Sequence, residues 1–169
     1  MFAVIPITDL PLDALEPLLG ESEEEGFRFL RRLKDEWLSG ANRFDRAGES
    51  LFGIFEDKKL VALGGLNSES DRRGRLRRFY VRRKDRRKGI GRLLAQHIVR
   101  FGADHYDRIV LHTDTNVADK FYRSLGFERI TGGADPTHLL CIEIKGDNLG
   151  RVARHPAPAF NARLNPSLI

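Results

Sequence analysis

The segment Leu76-Arg-Arg-Phe-Tyr-Val-Arg-Arg-Lys-Asp-Arg86-Arg-Lys-Gly89-Ile-Gly91-Arg92 runs from strand-forming residues through a basic loop to two glycines that open an amphipathic stretch. Such an arrangement can cradle an anion. Glycines let the backbone approach closely, the free N–H groups of a helix's first turn point at the ligand, and the helix dipole favours negative charge there. Arg86, Arg87, Lys88 and Arg92 would add charge-assisted hydrogen bonds. The familiar phosphate signatures do not match. A dinucleotide fingerprint needs a third glycine where Leu94 stands, and a Walker loop needs a Gly-Lys-Ser/Thr that is absent.

The charge distribution points the same way. The 169 residues carry 29 Lys+Arg against 24 Asp+Glu, a net charge of +5. Between Asp71 and Arg92 there are 12 basic residues and 2 acidic ones, a local excess of 10 that leaves the remaining chain at −5. Concentration of this kind marks contact with something anionic, or else a solvated arginine-rich loop. Nucleic acid is disfavoured, because stacking would need aromatics interleaved with the arginines and only Phe79 and Tyr80 occur there, inside a strand. A single cysteine excludes a disulfide framework and a cysteine zinc site. No apolar run approaches the ~20 residues that span a bilayer, and the opening residues lack a basic leader. The expectation is a reduced, cytoplasmic protein with no membrane contact and no bound metal.

The elements that must position this segment follow from periodicity. Phe2 to Ile7 reads as a strand, and Thr8 or Asp9 would cap a helix with Pro11 in its first turn and Gly20 beyond its end. Ser22-Glu-Glu-Glu25 reads as a capping box for a second helix carrying Leu30, Leu33, Trp37 and Leu38, closed by Gly40. Strands follow at Leu51 to Phe55, Leu60 to Leu66 and Leu76 to Val81, then a helix from Gly91 to Phe101. A strand from Ile109 to Thr113, a short helix from Val117 to Leu125 and a strand from His138 to Ile144 complete the order β-α-α-β-β-β-α-β-α-β. Only the later β-α-β portion can be parallel. The fold class expected is therefore α/β or α+β, a three-layer domain with a mixed, mostly antiparallel sheet and helices on both faces. Residues 1–145 form that domain, and 146–169, with three prolines, read as an extended tail. Cys141 and Trp37 read as core residues, and His97 as a packed one.

About 25 residues after the glycine turn stands Asn116-Val-Ala118-Asp-Lys-Phe121-Tyr122-Arg-Ser-Leu125-Gly126-Phe127. The pair of segments, in this order, resembles the GCN5-related N-acetyltransferase superfamily. The first is similar to its Arg/Gln-x-x-Gly-x-Gly/Ala motif. The second is similar to its Asn-x-x-Ala-x-x-Phe-Tyr-x-x-x-Gly-Phe region, with Ala118 one place nearer the asparagine. This chain also lacks the proline the family often has near Arg83, and the glutamate some members carry on the strand of Arg77 and Arg78.

The resemblance implies acetyl-CoA as cosubstrate, bound where two parallel strands splay, and a primary amine of a small molecule or peptide as acceptor. It implies that Arg86, Arg87, Lys88, Gly89, Ile90 and Gly91, with Arg92 nearby, hold the diphosphate. Phe79, Tyr80 and Val81 would align the pantetheine arm, with the Val81 N–H polarising the thioester carbonyl, and Asn116 and Phe121 would complete the site. Tyr122 would be the general acid for the departing thiolate. An amine of pKa ~10.4 is neutral only to ~10⁻³·⁴ at pH 7, which costs about 4.6 kcal/mol, so a base would help. Asp114 is the first candidate, followed by His112 and Glu49. Glu21 and Glu23 to Glu25 either attract a cationic amine or simply favour a helix N-terminus. The alternative is a non-catalytic acyl-CoA-binding or protein-docking module of the same fold. A homodimer is left open.

Overall fold

The computed structural model describes residues 2–142. Its elements are β1 (Val4–Pro6), α1 (Leu12–Glu24), α2 (Phe29–Ser39), β2 (Ser50–Glu56), β3 (Lys59–Ser70), β4 (Arg73–Val81), α3 (Ile90–Ala103), β5 (Arg108–Leu111), α4 (Asn116–Arg123), β6 (Glu128–Arg129) and β7 (His138–Cys141), with a short 3-10 turn at Arg83–Asp85. The seven strands form one sheet in the order β1-β2-β3-β4-β5-β7-β6. All neighbours are antiparallel except β4 and β5. The tail expected over 146–169 and the last residues of the final strand lie outside the described residues.

Two cores sandwich the sheet. On one face Leu15, Leu18 and Leu19 of α1 and Leu30, Leu33 and Trp37 of α2 bury against Leu51, Leu63 and Tyr80. On the other, Ile90, Leu94 and Ile98 of α3 and Tyr122 of α4 meet Ile54, Leu66, Leu76 and Ile109. Each fully buried leucine or isoleucine contributes about 1.5–3 kcal/mol relative to leaving it in water. The three-layer expectation holds.

Several local expectations are corrected. Pro11, not Thr8 or Asp9, precedes the first residue of α1, and the helix continues through Pro17 and Gly20 because three leucines on one stripe are buried there. Ser22 is not a cap. It lies inside α1, buried, and donates its hydroxyl to the Leu19 carbonyl at 2.8 Å. The glycine that stops α1 is Gly26 (φ +85), where Phe27 N–H returns to Ser22 O and Gly26 N–H to Glu23 O. This is the Schellman arrangement. Gly102 lies within α3, packed so closely that a Cβ would meet Ile109 at 2.7 Å. Cys141 is exposed, because alternation along β7 buries His138 and Leu140 instead.

The irregularity that shapes the site is a bulge in β4. Leu63 pairs with Tyr80 and Gly65 with Arg77, so Gly64 alone faces both Arg78 and Phe79. Arg78 takes the extra place in a left-handed conformation (φ +59). As a result Leu76 and Phe79 both face α3, while Arg77 and Arg78 between them face the α1/α2 side, where Arg78 binds Glu36 of α2.

Candidate functional site

β4 and β5 pair only at Arg73–Arg108, Gly74–Ile109 and Arg75–Val110. Beyond Arg75 the edge of β4 that faced β5 is unpaired, and the two strands part. Arg82 N–H donates to Val61 O at 2.9 Å. Because bonds alternate along an antiparallel ladder, the Val81 N–H and C=O must point the other way, onto the open edge, and those of Phe79 two residues earlier do the same. The Val81 carbonyl there accepts Arg86 Nε at 3.0 Å.

Sequence-distant residues converge on this edge. A Cβ on Gly91 would lie 3.3 Å from Val81 Cγ2 and 3.5 Å from the Phe121 ring, so Val81, the start of α3 and α4 are in contact distance of one another. Phe79 stacks tilted on Phe121 (5.8 Å) and edge-on to Tyr122 (6.0 Å). Tyr122 is further enclosed by Phe127 at 5.7 Å and His138 at 6.4 Å. Its hydroxyl has no hydrogen-bond partner among the described residues, and burial pushes its pKa well above the usual phenol value. Under Tyr122, buried His138 bridges Asp119 of α4 (3.0 Å) and the Thr137 hydroxyl (2.9 Å), fixing α4 to β7.

The basic loop is less free than its sequence suggests. Arg86 binds both oxygens of Glu25 and lies 5.2 Å above the Tyr80 ring. Arg83 pairs with Glu24, and Arg82 with Glu56 and Asp85. Lys88 reaches Asp85 at 2.8 Å. Burial alone would raise the Asp85 carboxyl, but hydrogen bonds from Lys88 and Arg82 outweigh it and hold the carboxyl below its ordinary range. Tyr80 turns away from the opening and hydrogen-bonds Glu25, with Glu21 at 3.0 Å. Glu23 is bound by Arg31. The acidic end of α1 is thus matched by this chain's own arginines and is no free attractor for a cationic amine.

What remains available is the start of α3. Gly89 (φ +82) and Arg87 (φ +63) turn the chain into a helix with no side-chain cap, so its first N–H groups are open to an anion. Among the described residues exposed Arg87 has no partner and Arg92 bonds only the Ser124 hydroxyl, at 3.0 Å, while Ile90 is a core residue. Asn116 is the exposed first residue of α4, whose cap is Thr115. Asp114 is exposed in the loop after β5, without a partner among the described residues. His112 lies 3.5 Å from Asp135, and Glu49 accepts the Ser68 N–H at 2.9 Å. The sequence offered Glu25 as a capping or acceptor-side residue and not as the partner of Arg86, and it gave no sign of the role of Glu36 or of the bulge at Arg78.

Among the described residues no helix is long and apolar enough to cross a membrane, and no cluster of three or more metal-ligating side chains occurs. The chain matches the model of the acetyltransferase (GNAT) family over residues 12–127. Among solved structures, an Exiguobacterium protein provisionally described as an acetyltransferase is 32% identical, with a TM-score of 0.73 over 83% of this chain and 93% of that one. An acetyltransferase from Streptococcus agalactiae is 20% identical (TM-score 0.67, covering 82% and 95%). The ribosomal-protein alanine N-acetyltransferase of Escherichia coli is 18% identical (TM-score 0.62, covering 89% and 100%). These last two show a shared fold. No curated protein matches the chain.

Proposed function

Because the chain belongs to the acetyltransferase (GNAT) family, we propose that it transfers an acetyl group from acetyl-CoA to a primary amine of a small molecule or peptide. The observation that carries this reading is the unpaired edge of β4 beyond Arg75, which runs toward an uncapped α3 N-terminus. An extended amide-bearing arm can pair with the Phe79 and Val81 backbone while its phosphates meet the N–H groups of Gly89, Ile90 and Gly91. Arg87 and Arg92 are the cations placed to assist. Arg86 and Lys88 act mainly by holding the loop, since both are already paired within the chain.

Bound acetyl-CoA supplies the activated acetyl group. The Val81 N–H donates a hydrogen bond to the carbonyl oxygen as negative charge develops there, and removing such a donor elsewhere costs about 3 kcal/mol. As the C–N bond forms and the C–S bond breaks, Tyr122 gives its proton to the departing sulfur. The upward pKa keeps this phenol protonated until then. Asp114, exposed after β5, takes the amine proton through water. Asn116 and Phe121 border the arm at the start and middle of α4.

The test is thiol release from acetyl-CoA against a panel of amines, with mass spectrometry of the products. Amine-dependent release with an acetylated amine supports the reading. Binding of acetyl-CoA without transfer to any amine would favour the non-catalytic module.

A further inference from the structure

The α1/α2 face of the sheet carries positive charge that the cofactor edge does not use. Arg77 is the first residue on that face after β4 and β5 part, and the bulge adds Arg78 beside it. The neighbouring carboxylates are already matched. Glu69 lies 2.6 Å from Arg73 and 2.9 Å from Arg75, Asp135 binds Arg75 through two bonds of 3.1 and 2.6 Å, and Glu36 binds Arg78 at 2.8 Å. Arg77 has no ion pair or hydrogen bond among the described residues, and it is exposed. Burial of its stem and the charges of Arg75 and Arg78 hold its pKa below the ordinary arginine value, although a guanidinium remains charged throughout the working range.

Two further features shape the spot. The Arg78 side chain is only 7% exposed, yet its Nε has no partner among the described residues, unlike those of Arg73 and Arg75, which face Glu69. Gly65, which pairs with Arg77 across β3, lies under the Phe44 ring so closely that any Cβ would strike it. An apolar wall therefore stands beside an unmatched guanidinium, next to the place where the strands open.

We propose that Arg77, supported by Arg78, recognises an anionic group, a carboxylate or a phosphate, on the amine that accepts the acetyl group. The inference rests on the transferase reading and narrows its acceptor. A polycationic amine would meet this face with like charge, and the glutamates of α1 that might have received it are bound within the chain. An anionic amine gains a charge-assisted hydrogen bond and relieves the crowding of Arg75, Arg77 and Arg78.

The experiment compares amines that differ only in the anion: amino acids against their amides, and phosphoethanolamine against ethanolamine. Thiol release gives kcat/KM, and calorimetry gives acetyl-CoA affinity separately. Each charged amine is expected to exceed its neutral counterpart by about 10-fold or more in at least one series, and the series that responds identifies the anion. Arg77→Gln should bring that ratio to about one without changing the acetyl-CoA Kd. Ratios near one in both series, a ratio that survives Arg77→Gln, or turnover of neutral amines but of no anionic one would each overturn the inference. Failure to bind acetyl-CoA, or binding without transfer to any amine, would instead overturn the transferase reading, and this inference with it.

Discussion

Arg86 holds Glu25 with both terminal guanidinium nitrogens, at 2.7 and 2.6 Å, and donates its Nε to the Val81 carbonyl at 3.0 Å. One side chain therefore ties α1 to the end of β4, where the proposed oxyanion donor sits. The arginine that opens the glycine turn is a brace in this chain, and the anion site is left to the backbone of α3.

The brace has a measurable pH signature. Hydrogen bonds from Arg86, opposed by partial burial and reinforced by Tyr80, hold the Glu25 carboxyl below its ordinary range. A depressed carboxyl stabilises the fold above its unfolded pKa of about 4.3, and that stability is lost as pH falls through the lower folded value. A double-mutant cycle of Arg86→Ala and Glu25→Gln should give a coupling of about 1 kcal/mol at pH 7 by denaturant unfolding. The coupling should shrink as pH falls through the lowered folded value of Glu25.

Tyr122→Phe separates chemistry from packing. The ring contacts with Phe79, Phe121 and Phe127 survive the change, and the hydroxyl has no partner to lose among the described residues. Steady-state kinetics should show kcat reduced by ~10²-fold with acetyl-CoA affinity and stability nearly unchanged. Since burial raises the phenol pKa, the wild-type alkaline limb up to about pH 10 should not arise from Tyr122.

Gly64 opposes the bulge, and a Cβ there would meet the Phe79 ring at 2.7 Å and Ile98 at 3.1 Å. Gly64→Ala should destabilise the protein by about 1–3 kcal/mol through overpacking. It should also weaken acetyl-CoA binding, because Phe79 cannot yield without moving the open edge. Thermal unfolding and calorimetry would read the two effects separately.

The loop cations should divide by their pairing. Arg87→Ala is expected to weaken acetyl-CoA on the order of 5-fold, the loss of one exposed charge-assisted contact. Lys88→Ala should change it less, because Lys88 is engaged by Asp85. Equal losses in the two variants would place the diphosphate against the paired side of the loop.

Much of this was legible in the sequence where a local rule sufficed. The glycines before α3, the αL Gly40 after α2 and the stripe of Leu30, Leu33 and Trp37 all sit where periodicity and turn chemistry put them. The family resemblance over the two motifs supplied the expectation that two parallel strands splay. What could not be read depended on partners far along the chain or on tertiary override. Glu25 and Arg86 are 61 residues apart, and nothing local marks them as a pair. Gly20 looked like a stop but was carried inside α1 by leucine burial, and β6 is only two residues long. The bulge at Arg78 was hidden because a left-handed arginine has no signature of its own, unlike a glycine.

The most direct measurement is calorimetric titration of the protein with acetyl-CoA and with the analogue lacking the ribose phosphate. The account predicts micromolar binding of acetyl-CoA that falls as salt is raised and weakens for the analogue. Absence of binding to either compound would contradict it, and would leave the open edge of β4 without the ligand its geometry suits.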